Sequence, residues 1–281
     1  MWTEFWHELR NNRGKILGWG LTLALLGGYL LSFYDTIADQ QEEMQALMEM
    51  YPPEVMAFFG GVDDMFTPSG WLHLEFFSYM PIVLGIFAVL TGSGLLAGDE
   101  ERGTLNLVLA HPISRARLFW GRLLAYLGVT VIILGLIWLA FLIAGRASQA
   151  MDLGAGELLL PILTLLAVLL LFGTLGVLLS LFLPSRGLAA MVTGVLLIAS
   201  FFITSLAQID DRLAPFADFS PLTYYQGGQA LEGLDGAWFA RLMVAALVFA
   251  LLAWWRFERK DIRVAGEGGW AFPWFGRRSR A

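Results

Sequence analysis

Residues 158–207 read LLLPILTLLAVLLLFGTLGVLLSLFLPSRGLAAMVTGVLLIASFFITSLA. Two apolar stretches, about 158–183 and 188–207, flank Leu183-Pro184-Ser185-Arg186-Gly187, where Pro and Gly supply a tight turn. Each flank meets the roughly 20 apolar residues that a helix needs to cross a bilayer. The segment is therefore a hairpin of two membrane-spanning helices. Working outward, four more stretches qualify, at about 16–34, 76–97, 118–144 and 238–255, and 118–144 is long enough to tilt or protrude. The expected fold is an all-α integral membrane protein with six transmembrane helices, forming a single domain over residues 1–281.

Composition points the same way. The chain is 57% apolar and 15% charged, with a mean hydropathy of +0.65, whereas soluble domains carry about 25% charged residues. There is no cysteine, which excludes disulfides, thiolate metal sites and Cys nucleophiles. His7, His73 and His111 are scattered without metal-ligand spacing. The run 16–33 follows Arg10, Arg13 and Lys15, but it exceeds a signal-peptide core and lacks a small-residue cleavage pattern after it. It reads as the first span.

Six spans place both termini on one side, and the basic residues choose the side. Arg10, Arg13 and Lys15 precede span one; Arg102, Arg115, Arg117 and Arg122 lie between spans two and three; Arg186 lies in the hairpin; Arg256, Arg259, Lys260, Arg263, Arg277, Arg278 and Arg280 fill the tail 256–281. The opposite side has Arg146, Arg212 and Arg241. The positive-inside rule then puts both termini in the cytoplasm, in an inner or plasma membrane. Arg122 and Arg241 sit near span ends and are expected to snorkel to the interface.

The connections carry further pattern. The first external loop, 35–75, has acids and no Lys or Arg. It either attracts cations or simply obeys the charge asymmetry. Within it Met44, Leu47, Met48 and Tyr51 recur at helical spacing. Residues 215–231 are too short and polar to span and read as two short helices of a re-entrant element, broken at Ser220-Pro221 and Gly227-Gly228. At the N-terminus Trp2, Phe5, Trp6 and Leu9 form one face of an amphipathic helix over residues 1–15, lying in the cytoplasmic interface. Trp254-Trp255 marks the inner end of the last span.

Enzymatic chemistry is not expected. The only lysines are Lys15 and Lys260, and neither lies in a G-x-x-x-x-G-K-[ST] phosphate loop. No histidine lies in any span, as an intramembrane protease would need, and the six span cores hold no ionisable residue for ion-coupled transport, where a buried charge is how coupling is done. Any energy for transport must come from another chain, and nothing suggests a nucleic-acid partner.

The remaining signal is the polar insert 99–115. Gly98 is expected to end span two, with Asp99, Glu100 and Glu101 in the first turn of a short helix that Pro112 stops; Leu105, Leu107, Val108 and Leu109 give it an apolar patch. By composition this is either a helix for a groove on a cytoplasmic partner or a solvated connector. Its residues Glu100-Glu101-Arg102-Gly103-Thr104-Leu105 and Leu109-Ala110-His111-Pro112-Ile113-Ser114-Arg115 resemble the E-E-x-G-T-L…L-x-x-P-[IV]-S-R signature of permease subunits of type-two ATP-binding-cassette (ABC) exporters. Ser220-Pro221-Leu222-Thr223-Tyr224-Tyr225 resembles that family's last external segment.

The resemblance implies a coupling helix at Glu100–Pro112 that seats on a separate ABC ATPase subunit, where ATP and magnesium are bound, and a second permease subunit as partner. Coupling would rest on Glu100, Glu101, Gly103, Thr104, Leu105 and Pro112, with spans one, two and five moving around a central pathway. Glu100 and Glu101 are expected to be exposed and dispensable for the fold of the spans. Polar residues within the spans, Ser78, Thr91, Ser93, Thr193, Ser200 and Thr204, either line a pathway or bond to neighbouring helices. A mostly apolar pathway favours a hydrophobic or amphipathic substrate. A non-transporting membrane scaffold or assembly factor, and a membrane enzyme, are the alternatives.

Overall fold

The computed structural model describes residues 2–40, 67–105, 110, 114–148 and 153–260, and those residues are helical with no strand. Helix α1 (Trp2–Asn11) precedes α2 (Arg13–Asp39), which contains a wide π turn at Ile16–Leu21. A bent pair follows, α3 (Pro68–Phe77) and α4 (Met80–Gly94), and then the short α5 (Ala97–Glu101). Helices α6 (Arg115–Ala147), α7 (Ala155–Phe182), α8 (Arg186–Ala207) and α9 (Gly236–Arg259) complete the bundle. Five helices are long and apolar enough to cross a membrane, and the bent pair brings the number to six if it is counted as one span. The all-α membrane architecture expected from the sequence is present. The helical pattern proposed for residues 44–51 and the tail beyond residue 260 lie outside the described residues.

Span two is not the straight helix expected at 76–97. It starts at Pro68, where Thr67 caps the helix by accepting the Gly70 N–H at 3.0 Å, and it bends by 41° between α3 and α4. Pro81 is the cause: it has no N–H to give the Phe77 carbonyl, and its ring opposes a continuous helix. The carbonyl is satisfied from elsewhere, by the Tyr225 hydroxyl at 2.9 Å. Span two also ends at Gly94, so Gly98 lies inside α5 instead of terminating the span.

Helix α7 is the centre of the bundle. Its most apolar window is 67% buried, against 22–39% for the other single-helix spans, because α4 and α9 cover it from two sides. Lipid offers helices no hydrophobic reason to associate, so close contact and hydrogen bonds must hold them. A Cβ on Gly92 of α4 would collide with the Gly173 carbonyl of α7, and one on Gly173 would collide with the Tyr126 hydroxyl of α6. That hydroxyl donates to Leu169 O at 2.6 Å, pinning α6 to α7 beside the crossing. Toward the loop ends of α2, α3 and α6, Phe76, Phe77 and Phe141 pack edge to face with centroids 5.0–5.8 Å apart.

The segment before α9 consists of short turns: Asp211–Leu213, Ala214–Ala217, Pro221–Tyr224 and Gly227–Leu231. The expected break at Ser220-Pro221 is present. Gly227-Gly228 instead begins the last turn: Gly227 has φ +53°, and Gly228 lies so close to His73 of α3 that a Cβ would overlap it. The Gly228 N–H donates to His73 Nδ1 at 3.2 Å.

Candidate functional site

At the end of the bundle that holds α1 and the last described residue, Lys260, helix termini converge and leave backbone groups without intrahelical partners. Charged side chains from the insert and from α6 satisfy several of them. Helix α4 ends at Gly94, and the Leu95 carbonyl accepts Arg122 Nη1 from α6 at 2.8 Å. The N-terminus of α8 is met by Glu101, whose Oε1 accepts the Arg186 N–H at 2.7 Å, an acid at the positive end of a helix dipole. The C-terminus of α9 is met by Arg115, which donates to Lys260 O at 2.6 Å and to Phe257 O at 3.2 Å. Ser114 in turn caps α6 by accepting the Arg117 N–H at 3.3 Å.

Ion pairs complete the arrangement. Asp99 binds Arg122 through its Oδ2 and Arg102 through its Oδ1, the latter at 2.5 Å. Burial pushes the Asp99 carboxyl up, but the Arg102 hydrogen bond and the charge and hydrogen bond of Arg122 outweigh it and hold it below its ordinary value. Glu100 Oε2 meets Lys260 Nζ at 2.6 Å with both side chains almost enclosed, 11% and 9% exposed. Arg122 is itself buried at 4% exposure, with Glu8 Oε1 of α1 3.8 Å from its Nε.

These contacts correct two expectations. Arg122 does not snorkel; Asp99 and the Leu95 carbonyl hold it inside the protein. Glu100 and Glu101 are not idle surface acids, because Glu100 ties the insert to the end of α9 and Glu101 ties it to the start of α8. The expected helix from Asp99 to Pro112 is also divided. Helix α5 ends at Glu101, and Gly103 has φ +71°, a left-handed conformation that glycine enters at little cost. Thr104 and Leu105 resume helix after that break, and Leu105 is buried. Pro112, Leu107, Val108 and Leu109 lie outside the described residues.

Helix α1 is amphipathic as expected, yet its apolar face is shared. Phe5 and Leu9 pack on Gly128 of α6, and Trp6 is left exposed. Near the start of α6, Trp120 meets Trp254 of α9 at 6.0 Å.

The polar residues of the spans do not form one row. Ser78, Ser93 and Thr193 donate to their own helices, at Leu74, Leu90 and Ala189. Thr204 bonds Ser220 at 2.8 Å and Thr223 at 3.2 Å, while Ser220 donates to Ser200 O at 3.0 Å, so this group fastens the segment before α9 to α8. Thr91 borders a cleft of about 590 Å³ among α1, α4, α5 and α6. Asp99, Arg115, Arg122 and Lys260 were not among the residues selected from sequence. Arg115 and Asp99 stood within the insert, while Arg122 and Lys260 are charges near span ends whose partners are distant in sequence, Glu100 being 160 residues from Lys260.

Comparison with known proteins agrees with this architecture. Residues 2–262 match the ABC-2 family transporter proteins. The chain is also 21% identical over 206 residues to YdbK, an uncharacterized membrane protein of Bacillus subtilis (strain 168), the match covering 68% of this chain and 84% of that protein. With several apolar helices long enough to span a membrane, a charged insert after α4, and the family match over nearly its whole length, the chain belongs to the ABC-2 transporter family as a multi-pass membrane permease.

Proposed function

We propose that this permease is the membrane half of an ATP-driven exporter, and that the insert around Ala97–Leu105 is where a separate ABC ATPase pushes. The observation that carries the reading is mechanical. The insert is bonded to α6 through Asp99–Arg122, to α9 through Glu100–Lys260 and to α8 through Glu101 and the Arg186 N–H. A displacement of this short segment is therefore passed to three spans at once. Both termini face the cytoplasm in this reading, in a cell inner or plasma membrane. ATP and magnesium sit on the partner, and this chain hydrolyses no nucleotide by itself. A second permease copy packs against the wide apolar faces of α2 and α8, where Leu21, Leu25, Met191 and Val195 are exposed. The substrate is hydrophobic or amphipathic, in keeping with those faces.

The test has two parts. Single cysteines at Glu43 and Asp152 should react with an impermeant reagent in intact cells, and one at Ser185 should not. The chain purified with an ABC ATPase encoded beside it should hydrolyse ATP, and the chain alone should not. Hydrolysis by the homogeneous chain, or labelling of Ser185 from outside, overturns the reading.

A further inference from the structure

The cleft beside Thr91 is built mainly of cations. Lys15, Arg102, Arg122 and Arg186 border it from four different elements, against the two carboxylates Glu8 and Asp99. The acids leave the site electropositive. Asp99 is fully engaged by Arg102 and Arg122, and the Arg186 side chain reaches its nearest acid, Glu101, only at 3.9 Å. Arg122 is the fixed element: its side chain is 5% exposed, and its Nε has no hydrogen-bond partner among the described residues. An adjoining depression lined by His7, Arg10, Asn11 and Arg13 extends the positive surface along α1.

Position selects the ligand. Leu90 and Leu95, at the end of a membrane-spanning helix, form the apolar side of the cleft, and Leu90 is 59% exposed. The site thus has a polar, cationic wall beside an apolar one at the level where spans end, which is the division found between the headgroup and acyl regions of a lipid leaflet. A volume of about 590 Å³ falls within the range of pockets that hold whole small molecules. We propose that this cleft binds a phosphate group, supplied by the headgroup of an anionic phospholipid, with Lys15 and Arg186 as the adaptable contacts and Arg122 as the buried anchor. The bound lipid would brace α1 against α4 and α5. The proposal is independent of the ATPase reading, since it needs only a membrane and this chain.

The test uses the full chain in detergent, read by native mass spectrometry for bound lipid and by thermal melting. The probes are phosphatidylglycerol, phosphatidylcholine, glycerol phosphate and inorganic phosphate. Phosphatidylglycerol should bind in preference to phosphatidylcholine and raise the melting temperature. Lys15→Ala/Arg186→Ala should weaken that preference about tenfold or more, as loss of two cations near an anionic headgroup implies. Arg256→Ala/Arg259→Ala, with equal charge loss at the same end of the bundle, should not. If the alanine pair fails to fold, Lys15→Gln/Arg186→Gln serves the same comparison. Selective binding of glycerol phosphate or inorganic phosphate, lost in the Lys15/Arg186 variant, supports the phosphate site and assigns it a soluble ligand. Equal lipid preference in the parent and the Lys15/Arg186 variant, or equal loss in the Arg256/Arg259 control, overturns the proposal.

Discussion

The two ends of this bundle are tied by different chemistry. At the end that holds α1 and Lys260, side-chain ties are ionic: Asp99 to Arg122, Glu100 to Lys260 and Glu101 to the Arg186 N–H. At the other end the hydrogen bonds come from neutral donors: Thr204, Ser220 and Thr223 share hydroxyl contacts, Tyr225 serves the Phe77 carbonyl, Gly228 serves His73, and the Ser69 and Ser148 hydroxyls serve the Glu232 and Asp35 carboxylates. All ion pairs between described residues lie at the first end. Neutral hydrogen bonds with tight packing act only at contact and resist repartnering. Ion pairs act over longer distances and can be exchanged for other charges, a property that the proposed coupling segment would use. In the coupling proposed above, the ionic end is the part that moves and the neutral end is the anchor.

The largest expected effect breaks the ionic end at its centre. Asp99→Ala leaves Arg122 buried with no adjacent carboxylate closer than Glu8 at 3.8 Å, and removal of one partner from a buried pair costs about 3–5 kcal/mol. The purified variant should melt far below the parent or fail to accumulate in the membrane; an unchanged melting temperature would show that water reaches Arg122.

Next comes the Glu100–Lys260 tie, where loss of a charged hydrogen bond is worth about 1.5–3 kcal/mol. Glu100→Lys and Lys260→Glu should each lower stability, and the double exchange should recover most of it. Co-purification of the ATPase with the exchange variant then separates two roles. Recovered stability with lost association means that the charge itself is read by the partner. Recovery of both means that Glu100 acts only as the internal tie.

At the neutral end, Gly228→Leu forces a side chain into His73, and overpacking of this kind costs about 1–3 kcal/mol. Thermal melting should show a loss of that size without any change in its salt dependence. A salt-dependent loss would erase the distinction between the ends.

The smallest effect is titration. The folded Asp99 carboxyl lies below its ordinary value, so its contribution is complete above the unfolded value of about 3.9 and disappears as pH falls through the lower, folded one. Stability should therefore not change with pH through Asp99 near neutrality, where its contribution is complete, and the gap between the parent and Asp99→Asn should close only in strong acid. A gap that closes near neutrality would place Asp99 outside the Arg122 contact.

The spans were legible in the chain because bilayer crossing is a local requirement: length and apolarity within one segment decide it, as in the hairpin around Pro184. The amphipathic face of α1 was legible for the same reason, its period being contained in ten residues. The bend in span two had a local cause as well, since Met80-Pro81 stands in plain view; what was not visible is that Tyr225 would replace the missing N–H and make the bend affordable. The insert shows the division most clearly. Its signature identified the segment, and exposure holds for Glu101 but not for the nearly enclosed Glu100; a hydrophilic run between two spans reads the same whether it is solvated or paired.

The sequence by itself determined that this is a helical membrane protein, where its spans begin to within a few residues for most of them, and which short polar segment distinguishes it. Only the tertiary structure decided which charges are buried and against what. Lys260 and Glu100 stand 160 residues apart, and no periodicity or composition relates them. They meet because α7 draws α4 and α9 onto its two sides, which brings the ends of distant helices together and leaves their unpaired backbone groups and charges to satisfy one another.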